Sequence, residues 1–286
     1  MLEDLSMTIR IVTDSTCDLP QHVLREWNIT VVPLYINIGD RGYLDGMDIT
    51  RREFYTNLPS YASHPTTGTP GVDRFLETFN SLLARGASGI LSIHISQSLS
   101  ATVEIARTAA RDFPAGVVTV RDSAQLSLGT GFQVETAARM AREGKPLPEI
   151  LAALDDLAAR TFVTARLNTL EFLRRSGRMN SFMAGLGSLL QVKPLLTMKN
   201  GHPGSERVRT TARATARLVE MLKAYQPIER FALLHTNARE EAEAFRAQIA
   251  SLLPSGEIYS MDITPVIGAH IGPGAVGYAL VSKNPV

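Results

Sequence analysis

Cysteine is almost absent from this sequence, and its scarcity excludes several classes of protein. Cys17 is the single cysteine among 286 residues, so the chain forms neither an internal disulfide framework nor a cysteine-rich metal site. No apolar run approaches the ~20 residues that a transmembrane helix needs. Residues 1–7 carry acids and lack the apolar core of a signal peptide. These absences predict a soluble protein of the cytoplasm.

The sequence also lacks an excess of charge of either sign, and it lacks the usual catalytic motifs. The formal net charge is +1, which gives no overall attraction to nucleic acid or membrane. The sequence has no G-x-S-x-G elbow, no H-E-x-x-H pair and no G-x-x-x-x-G-K-[ST] loop. Residues 272–277 match G-x-G-x-x-G, but they precede a strand and no acidic ribose partner follows. We therefore expect no catalytic residue, no metal and no cofactor.

A chain of hydroxyl side chains follows the strand-like segment 90–95. Ser96, Ser98, Ser100 and Thr102 stand at alternate positions there. A helical pattern begins directly after them, so Ser98 or Ser100 is expected at a helix N-cap. Free N–H groups and the helix dipole can hold an anion at such a place. Two interpretations stay open at this point: an anion site, or serines that only cap the helix.

A second hydroxyl-rich segment contains Thr66, Thr67 and Thr69 and ends at Pro70. Thr69 and Pro70 are predicted as the N-cap and the first position of another helix. This segment therefore also leads into a helix N-terminus. Near the other end of the chain, His270 precedes the glycine-rich segment and is either a ligand contact or a structural histidine.

Strand and helix patterns alternate along the chain, which predicts an α/β fold with a parallel, doubly wound sheet. The character of the sequence changes near residue 160, and we expect two lobes, 1–160 and 161–286, with a mainly parallel sheet in the first. The predicted strands are 9–13, 29–38, 90–95, 117–121, 192–198, 231–236, 258–263 and 276–281. The predicted helices are 20–27, 70–83, 123–142, 146–160 and 240–252, and an apolar, small-residue segment spans 183–190.

The region from residue 160 to residue 217 is basic, with eleven lysines and arginines and two acids. Arg209, Arg213 and Arg217 are four residues apart, as on one face of a helix. Such a stripe steers an acidic partner toward the surface. We predict a docking surface for an acidic protein, with nucleic acid as the alternative. The region lacks the interleaved aromatic side chains of single-strand binders.

Several short motifs together give the chain a resemblance to a known family. The motifs are 12–16 with 18–20, 67–70, 95–102, 176–178, 192–196 and 268–274. In this order they resemble the DegV family of bacterial fatty-acid-binding proteins, over nearly the whole chain. The sequence departs from the family pattern where Gly68 and Thr69 replace serine and glutamine, and where Ala101 and Ser176 each replace glycine.

The resemblance implies two α/β lobes with the acyl chain of a long-chain, palmitate-like fatty acid in a tunnel between them. It also implies that Thr67 and Ser100 hold the carboxylate. In some members a separate fatty-acid kinase phosphorylates this head group. His270 and Arg178 are expected at the tunnel mouth, beside an acyl phosphate. Imidazole can change its charge near neutral pH, and guanidinium offers a planar fork that suits phosphate.

The leading hypothesis is a non-catalytic lipid carrier, in which Ser96 and Ser98 are further ligand-binding residues. The first alternative is a serine-dependent lipid hydrolase or transferase, but no base is recognisable near any serine. The second is a nucleic-acid-binding regulatory protein, although nucleic acid is not expected as a partner. A lipid cargo is compatible with transient proximity to a membrane.

Overall fold

The computed structural model describes residues 8–183 and 193–285. Within these residues the chain forms an α/β protein with three sheets, and the predicted fold class is confirmed. Residues 184–190 of the apolar segment, and Val192 of a predicted strand, lie outside the described residues. In the part that is described, no helix combines the length and the hydropathy of a membrane span.

The helices and strands are numbered in chain order. The strands are β1 Ile9–Asp14, β2 Thr30–Val32, β3 Tyr35–Ile38, β4 Arg41–Leu44, β5 Thr66–Gly68, β6 Gly89–His94, β7 Val118–Asp122, β8 Thr161–Arg166, β9 Lys193–Lys199, β10 His202–Val208, β11 Ile228–His235, β12 Tyr259–Asp262 and β13 Val276–Ser282. The helices are α1 Gln21–Glu26, α2 Arg51–Asn57, α3 Val72–Ala84, α4 Thr102–Ala110, α5 Leu128–Arg142, α6 Leu147–Ala159, α7 Glu171–Arg175, α8 Met179–Met183, α9 Thr211–Ala224, α10 Arg239–Gln248 and α11 Pro265–Ile271.

The first sheet is wholly parallel, with its strands in the order β2-β1-β6-β7. Every residue of β6 is buried, as expected for a strand that is covered on both faces. One face packs on α3 and α4 through Phe75, Phe79 and Ala106. The other packs on α5 and α6 through Phe132 and Leu154. Apolar residues on both sides explain why β6 has a nearly continuous apolar sequence.

The second sheet is mixed, with its strands in the order β10-β9-β8-β13-β11-β12. Its β11–β12 pair is parallel and its other pairs are antiparallel. The prediction of one parallel, doubly wound sheet is therefore wrong for this half of the chain. The cause lies partly in β9 and β10, which are joined by a tight turn at Asn200 and Gly201, both with positive φ. Such a hairpin can only be antiparallel.

The third sheet is antiparallel, in the order β4-β3-β5. The predicted single strand 29–38 is in fact two strands, β2 in the first sheet and β3 in the third. The break falls at Pro33, because proline has no N–H to contribute to a ladder. Ile36 of β3 is fully buried against α2 and α11. The third sheet thus packs next to α11, which matters for the site.

The second sheet begins with β8, directly after residue 160. Its inner face shares one apolar cluster with the first sheet, in which Val163 and Leu196 accompany Ile93 and Leu128. Its outer face packs on α9 and α10. This apolar cluster contains residues from both sides of residue 160. The division into lobes 1–160 and 161–286 therefore stays a prediction.

The glycines of the G-x-G-x-x-G segment have packing roles. Gly272 and Gly274 have φ of +73° and +84°, a region that favours glycine. Gly277 lies in β13, where a Cβ atom would be 2.0 Å from the carbonyl oxygen of Thr164 in β8. The segment is therefore a turn followed by a closely packed strand.

Candidate functional site

A cavity of about 350 Å³ is lined by residues from both halves of the chain. This volume is in the range of small-molecule sites. The second sheet supplies Val163, Leu196 and Leu234, and α11 supplies Ile267 and Ile271. These side chains are aliphatic, so most of the wall offers dispersion contacts and no hydrogen bonds.

Four of the predicted ligand-binding residues lie together on the wall of this cavity: Thr67, Ser100, His270 and Arg178. They come from β5, from the turn before α4, from the last turn of α11 and from the residue before α8. Thr67 and His270 are 203 residues apart in the chain, yet Oγ1 of Thr67 lies 3.0 Å from Nε2 of His270. The fold thus gathers hydroxyl, imidazole and guanidinium groups at one apolar cavity.

Ser96 and Ser98, which were also predicted as ligand residues, are not among the described residues that line the cavity. Their hydroxyl oxygens lie 2.9 Å apart, and the N–H of Ser98 donates to Oγ of Ser96 at 3.3 Å. The same pattern recurs one step later, where Oγ of Ser100 lies 2.8 Å from Oγ1 of Thr102. The alternating hydroxyls therefore shape the turn, and Ser100 is the serine of this series that reaches the cavity wall.

The predicted helix caps are wrong in detail. α4 has Ala101 as its N-cap, with no side-chain capping bond. α3 has Gly71 in that position, so Thr69 is not a cap. Thr67 lies in β5, where it pairs with Ile36 of β3. Strand pairing, and not a helix N-terminus, therefore places this hydroxyl.

His270 is neutral at pH 7. Burial, together with the nearby charges of Arg178 and His64, lowers its pKa to about 4. Its Nδ1 atom is buried without a hydrogen-bond partner. Contrary to the expectation, an imidazole with so low a pKa does not change its charge near neutral pH. A neutral imidazole can still donate or accept one hydrogen bond toward a ligand.

His64 is a neighbour of the site that the sequence did not single out. Its ring packs on Phe172 at 5.4 Å between centroids, and its Nε2 atom is buried without a partner. Burial lowers its pKa, as does the charge of Arg175. In the sequence, His64 stands at the start of the hydroxyl-rich segment 64–71, which could have indicated a place near the site. No sequence spacing connects it with His270.

Arg178 provides the positive charge at the cavity. Its Nη1 atom donates to the carbonyl of Ser176 at 3.2 Å. No carboxylate of residues 8–183 or 193–285 forms an ion pair with it. By contrast, Arg174 and Arg175 are both paired with Glu171. The charge of Arg178 is therefore available to an anionic ligand.

Ser127 is a second residue that the sequence did not single out. It lines the cavity and has a strained backbone, with φ of +50° and ψ of −140°. Its hydroxyl donates to the buried carboxylate of Asp18 at 2.6 Å. Burial raises the pKa of Asp18 to about 6, against the opposing charge of Arg51. A polar side chain thus interrupts the apolar wall next to a buried ion pair.

A base does lie beside a serine, contrary to the sequence-based expectation. Nε2 of His94 is 2.6 Å from Oγ of Ser92, and Nδ1 is 3.0 Å from Oδ2 of Asp14. All three residues are 0% exposed. None of them is among the described residues that line the cavity, so a substrate held there does not reach this serine.

The three predicted docking arginines do not form one helical stripe. Arg209 precedes Thr210, the N-cap of α9, and so lies outside the helix. Arg217 is paired with Glu206 at 2.7 Å and with Glu220 at 3.1 Å. Arg209 and Arg213 are exposed. A docking role for the basic region stays a prediction. Of the three arginines, Arg209 and Arg213 are the ones that are exposed and could take part in it.

The fold and the cavity together define an α/β binding protein whose apolar cavity carries a cluster of hydrogen-bond donors. The sequence profile of the DegV family, described as a family of uncharacterised proteins, matches residues 8–283. The chain belongs to the DegV family, as its motifs predicted.

Two curated relatives carry the name DegV domain-containing protein. The one from Deinococcus radiodurans is 37% identical over 279 residues, which cover 96% of this chain and 98% of the relative. The one from Streptomyces coelicolor is 35% identical over 284 residues, which cover 98% of this chain and 100% of the relative. The similarity therefore extends over both halves of the protein.

Solved structures of the family have the same fold. A fatty-acid-binding DegV family protein from Thermus thermophilus is 37% identical, with a TM-score of 0.87 over 96% of this chain and 100% of that one. The fatty-acid-binding DegV of Bacillus subtilis is 28% identical, with a TM-score of 0.87 over 97% and 100%. A stearic-acid-binding protein from Eubacterium ventriosum is 25% identical, with a TM-score of 0.86 over 96% and 98%.

We expect His270 to make the folded protein less stable as the pH falls from 7 to 5. The unfolded chain protonates this imidazole near pH 6.5, whereas the folded protein does so only near pH 4. The unfolded state therefore binds more protons in this window, and the loss of stability is about 2 kcal/mol. It is measured from urea unfolding at both pH values in the wild type and in His270→Gln.

The comparison isolates this one residue. Asp18 acts in the opposite direction, because its pKa is raised on folding, but it is present in both proteins and cancels. A wild type that loses no more stability than His270→Gln between the two pH values would contradict a buried, neutral imidazole.

Proposed function

We propose that this protein binds a long-chain fatty acid, with its tail in the apolar cavity and its carboxylate at Thr67 and Ser100. The observation that carries the proposal is the convergence of these two hydroxyls with His270 and Arg178 at one apolar cavity. The fatty-acid-binding family members from Thermus and Bacillus support it, since they share the fold along nearly the whole chain.

The tail supplies most of the binding free energy. Burial of about a dozen methylenes, at ~0.8 kcal/mol each, gives roughly 10 kcal/mol before the costs of association. A hydrogen bond to a charged head group adds only about 1.5–3 kcal/mol. Affinity is thus set by the length of tail that the cavity accepts, whereas the polar groups fix which end of the ligand faces them.

The head group needs donors because a carboxylate that leaves water loses its hydration. Hydroxyls can donate to it from Thr67 and Ser100, and Arg178 adds a positive charge that no described carboxylate neutralises. Nε2 of His270 lies 3.0 Å from Oγ1 of Thr67 and so orients this hydroxyl. This set stabilises an anion without a deeply buried arginine.

The proposal extends to a carrier role in the cytoplasm. A carrier that buries its cargo must present the reactive end to another protein, and a fatty-acid kinase that forms an acyl phosphate is the partner we propose. Arg209 and Arg213 offer exposed positive charge for this encounter. The ligand is the only small molecule required, and we propose no catalytic step within this chain.

Denaturing extraction of the purified protein, followed by mass spectrometry, tests the ligand. We expect a long-chain fatty acid in near-stoichiometric amount, because the tail contributes most of the affinity. A protein that carries no lipid, fails to bind added palmitate and hydrolyses acyl esters would instead point to a hydrolase.

The two hydroxyls are tested by combining Thr67→Ala with Ser100→Ala. Binding should weaken by about 3–6 kcal/mol without being lost, because two bonds to a charged group disappear while the tail contacts remain. Displacement of a fluorescent fatty acid measures it. Ser98→Ala, which removes a hydroxyl from the same turn but not from the cavity wall, is the matched control. Equal affinities in all three proteins would remove Thr67 and Ser100 from the site.

Docking is tested by charge reversal in the combined variant Arg209→Glu and Arg213→Glu. Formation of acyl phosphate by a fatty-acid kinase should slow, most strongly at low salt, while binding of the fatty acid stays unchanged. Arg111→Glu reverses an exposed charge outside the basic region and serves as the control. Undiminished coupling to the kinase argues against this surface, and salt-sensitive DNA binding that the reversal abolishes would favour the regulatory alternative.

A further inference from the structure

One buried carboxylate joins the ends of β1 and β6. Oδ1 of Asp14 accepts the backbone N–H of Thr16, at 3.0 Å, and the Thr16 hydroxyl. Oδ2 accepts Nδ1–H of His94 at 3.0 Å and the backbone N–H of Ile95 at 3.1 Å. Asp14 is 0% exposed. Four donors therefore take the place of water around this carboxylate.

His94 is itself held from two other sides. Its Nε2 atom lies 2.6 Å from Oγ of Ser92, and the ring of Phe75 packs edge-on against it at 5.3 Å. Burial by itself raises the pKa of Asp14, but the hydrogen bonds and charge of His94, together with the Thr16 and Ile95 bonds, outweigh it and lower the pKa. The carboxylate is thus ionised and fully hydrogen-bonded inside the protein.

These contacts follow the order of a Ser–His–Asp catalytic triad. A nucleophile must reach its substrate, and Ser92 is 0% exposed and not among the described residues of the cavity wall. The network therefore does not act as a catalytic triad. Because burying these polar groups costs free energy, their presence in the interior needs another explanation.

The segments that leave β1 and β6 at their C-terminal ends both run into the cavity wall. Thr16 and Ile95, which both donate to Asp14, also line the cavity. Ile95 is the first residue of the turn that leads to Ser100. Asp14 therefore holds the point at which the chain leaves the sheet and enters the cavity wall.

The turn beyond Ile95 is held by its own bonds and by contacts with the rest of the fold. The N–H groups of Leu99 and Ser100 donate to the carbonyl of Ser96, at 3.0 and 3.1 Å, and close the turn on itself. The N–H of Ser96 donates to the carbonyl of Gln125 at 2.8 Å, and Leu99 packs on the apolar core. The Asp14 carboxylate fixes the start of the turn, at Ile95.

We propose that Asp14 is a positioning residue for the head-group site, which places Ser100 by fixing Ile95 and His94 at the end of β6. The proposal rests on fatty-acid binding as proposed above. Asp14 is not among the described residues that line the cavity. Its partners lie at the ends of β1 and β6, whereas most of the aliphatic wall comes from the second sheet and α11, so we expect it to act mainly on the carboxylate end.

The test compares a fatty acid with the fatty alcohol of the same chain length, palmitate with hexadecanol, in the wild type and in Asp14→Asn. The alcohol shares the tail but lacks the carboxylate. The preference for the acid should fall about tenfold in the variant, while the affinity for the alcohol changes little. Amide hydrogen exchange should rise within 95–102 and stay low in β13.

Asp122→Asn is the matched control, because Asp122 ends the neighbouring strand β7 and its carboxylate accepts, within residues 8–183 and 193–285, only the N–H of Ala124, at 2.8 Å. It should keep the acid preference of the wild type. If Asp14→Asn does not fold, His94→Gln, which weakens one of the four bonds, takes its place with the same readout. A variant that loses thermal stability but keeps the full acid preference overturns the positioning role alone. A wild type with no preference for the acid overturns the proposed head-group site as well.

Discussion

Two buried carboxylates, Asp14 and Asp18, hold together the segments that surround the cavity. Asp14 joins the ends of two strands of the first sheet. Asp18 accepts the hydroxyl of Ser127 at 2.6 Å and the N–H of Thr264 at 2.9 Å, and it pairs with Arg51 at 3.0 Å. It thereby ties the starts of α5 and α11 to the turn after β1. Since an unpaired charge in the interior costs several kcal/mol, each carboxylate keeps its own partners in place.

Much of the fold follows from local patterns in the sequence. β6 and β13 are apolar runs bounded by turn residues, and their predicted positions agree with the structure within two residues. The patterns fail where contacts between distant segments determine the secondary structure. Thr69 has the sequence of a helix cap, but pairing of Thr67 with β3 draws this segment into a sheet. The strand predicted across Pro33 divides because its two halves find partners in different sheets.

The site itself could be predicted only in part. Hydroxyls before a helix indicate an anion site in general, but the contact between Thr67 and His270 spans 203 residues. No spacing rule connects positions so far apart, and the resemblance to a family supplied what the local pattern could not. Ser127 was missed because nothing in its neighbours shows a strained backbone. The sequence analysis expected no base near any serine, although His94 is only two residues after Ser92 in β6. The carboxylate that orients this imidazole, Asp14, is 80 residues earlier.

Residues in and around the cavity wall lower the free energy of unfolding of the protein. Ser127 and Asp18 both have positive φ, +50° and +56°, and such non-glycine residues cost about 1–3 kcal/mol each. Burial raises the pKa of Asp18 to about 6 despite the opposing charge of Arg51, which also lies near a second buried carboxylate, Asp45. An ionised carboxyl whose pKa rises on folding opposes folding. A ligand that binds only the folded state offsets this cost by mass action. In the proposed complex with a fatty acid, burial of the apolar tail therefore supplies stability, and the polar network fixes the position of the head group.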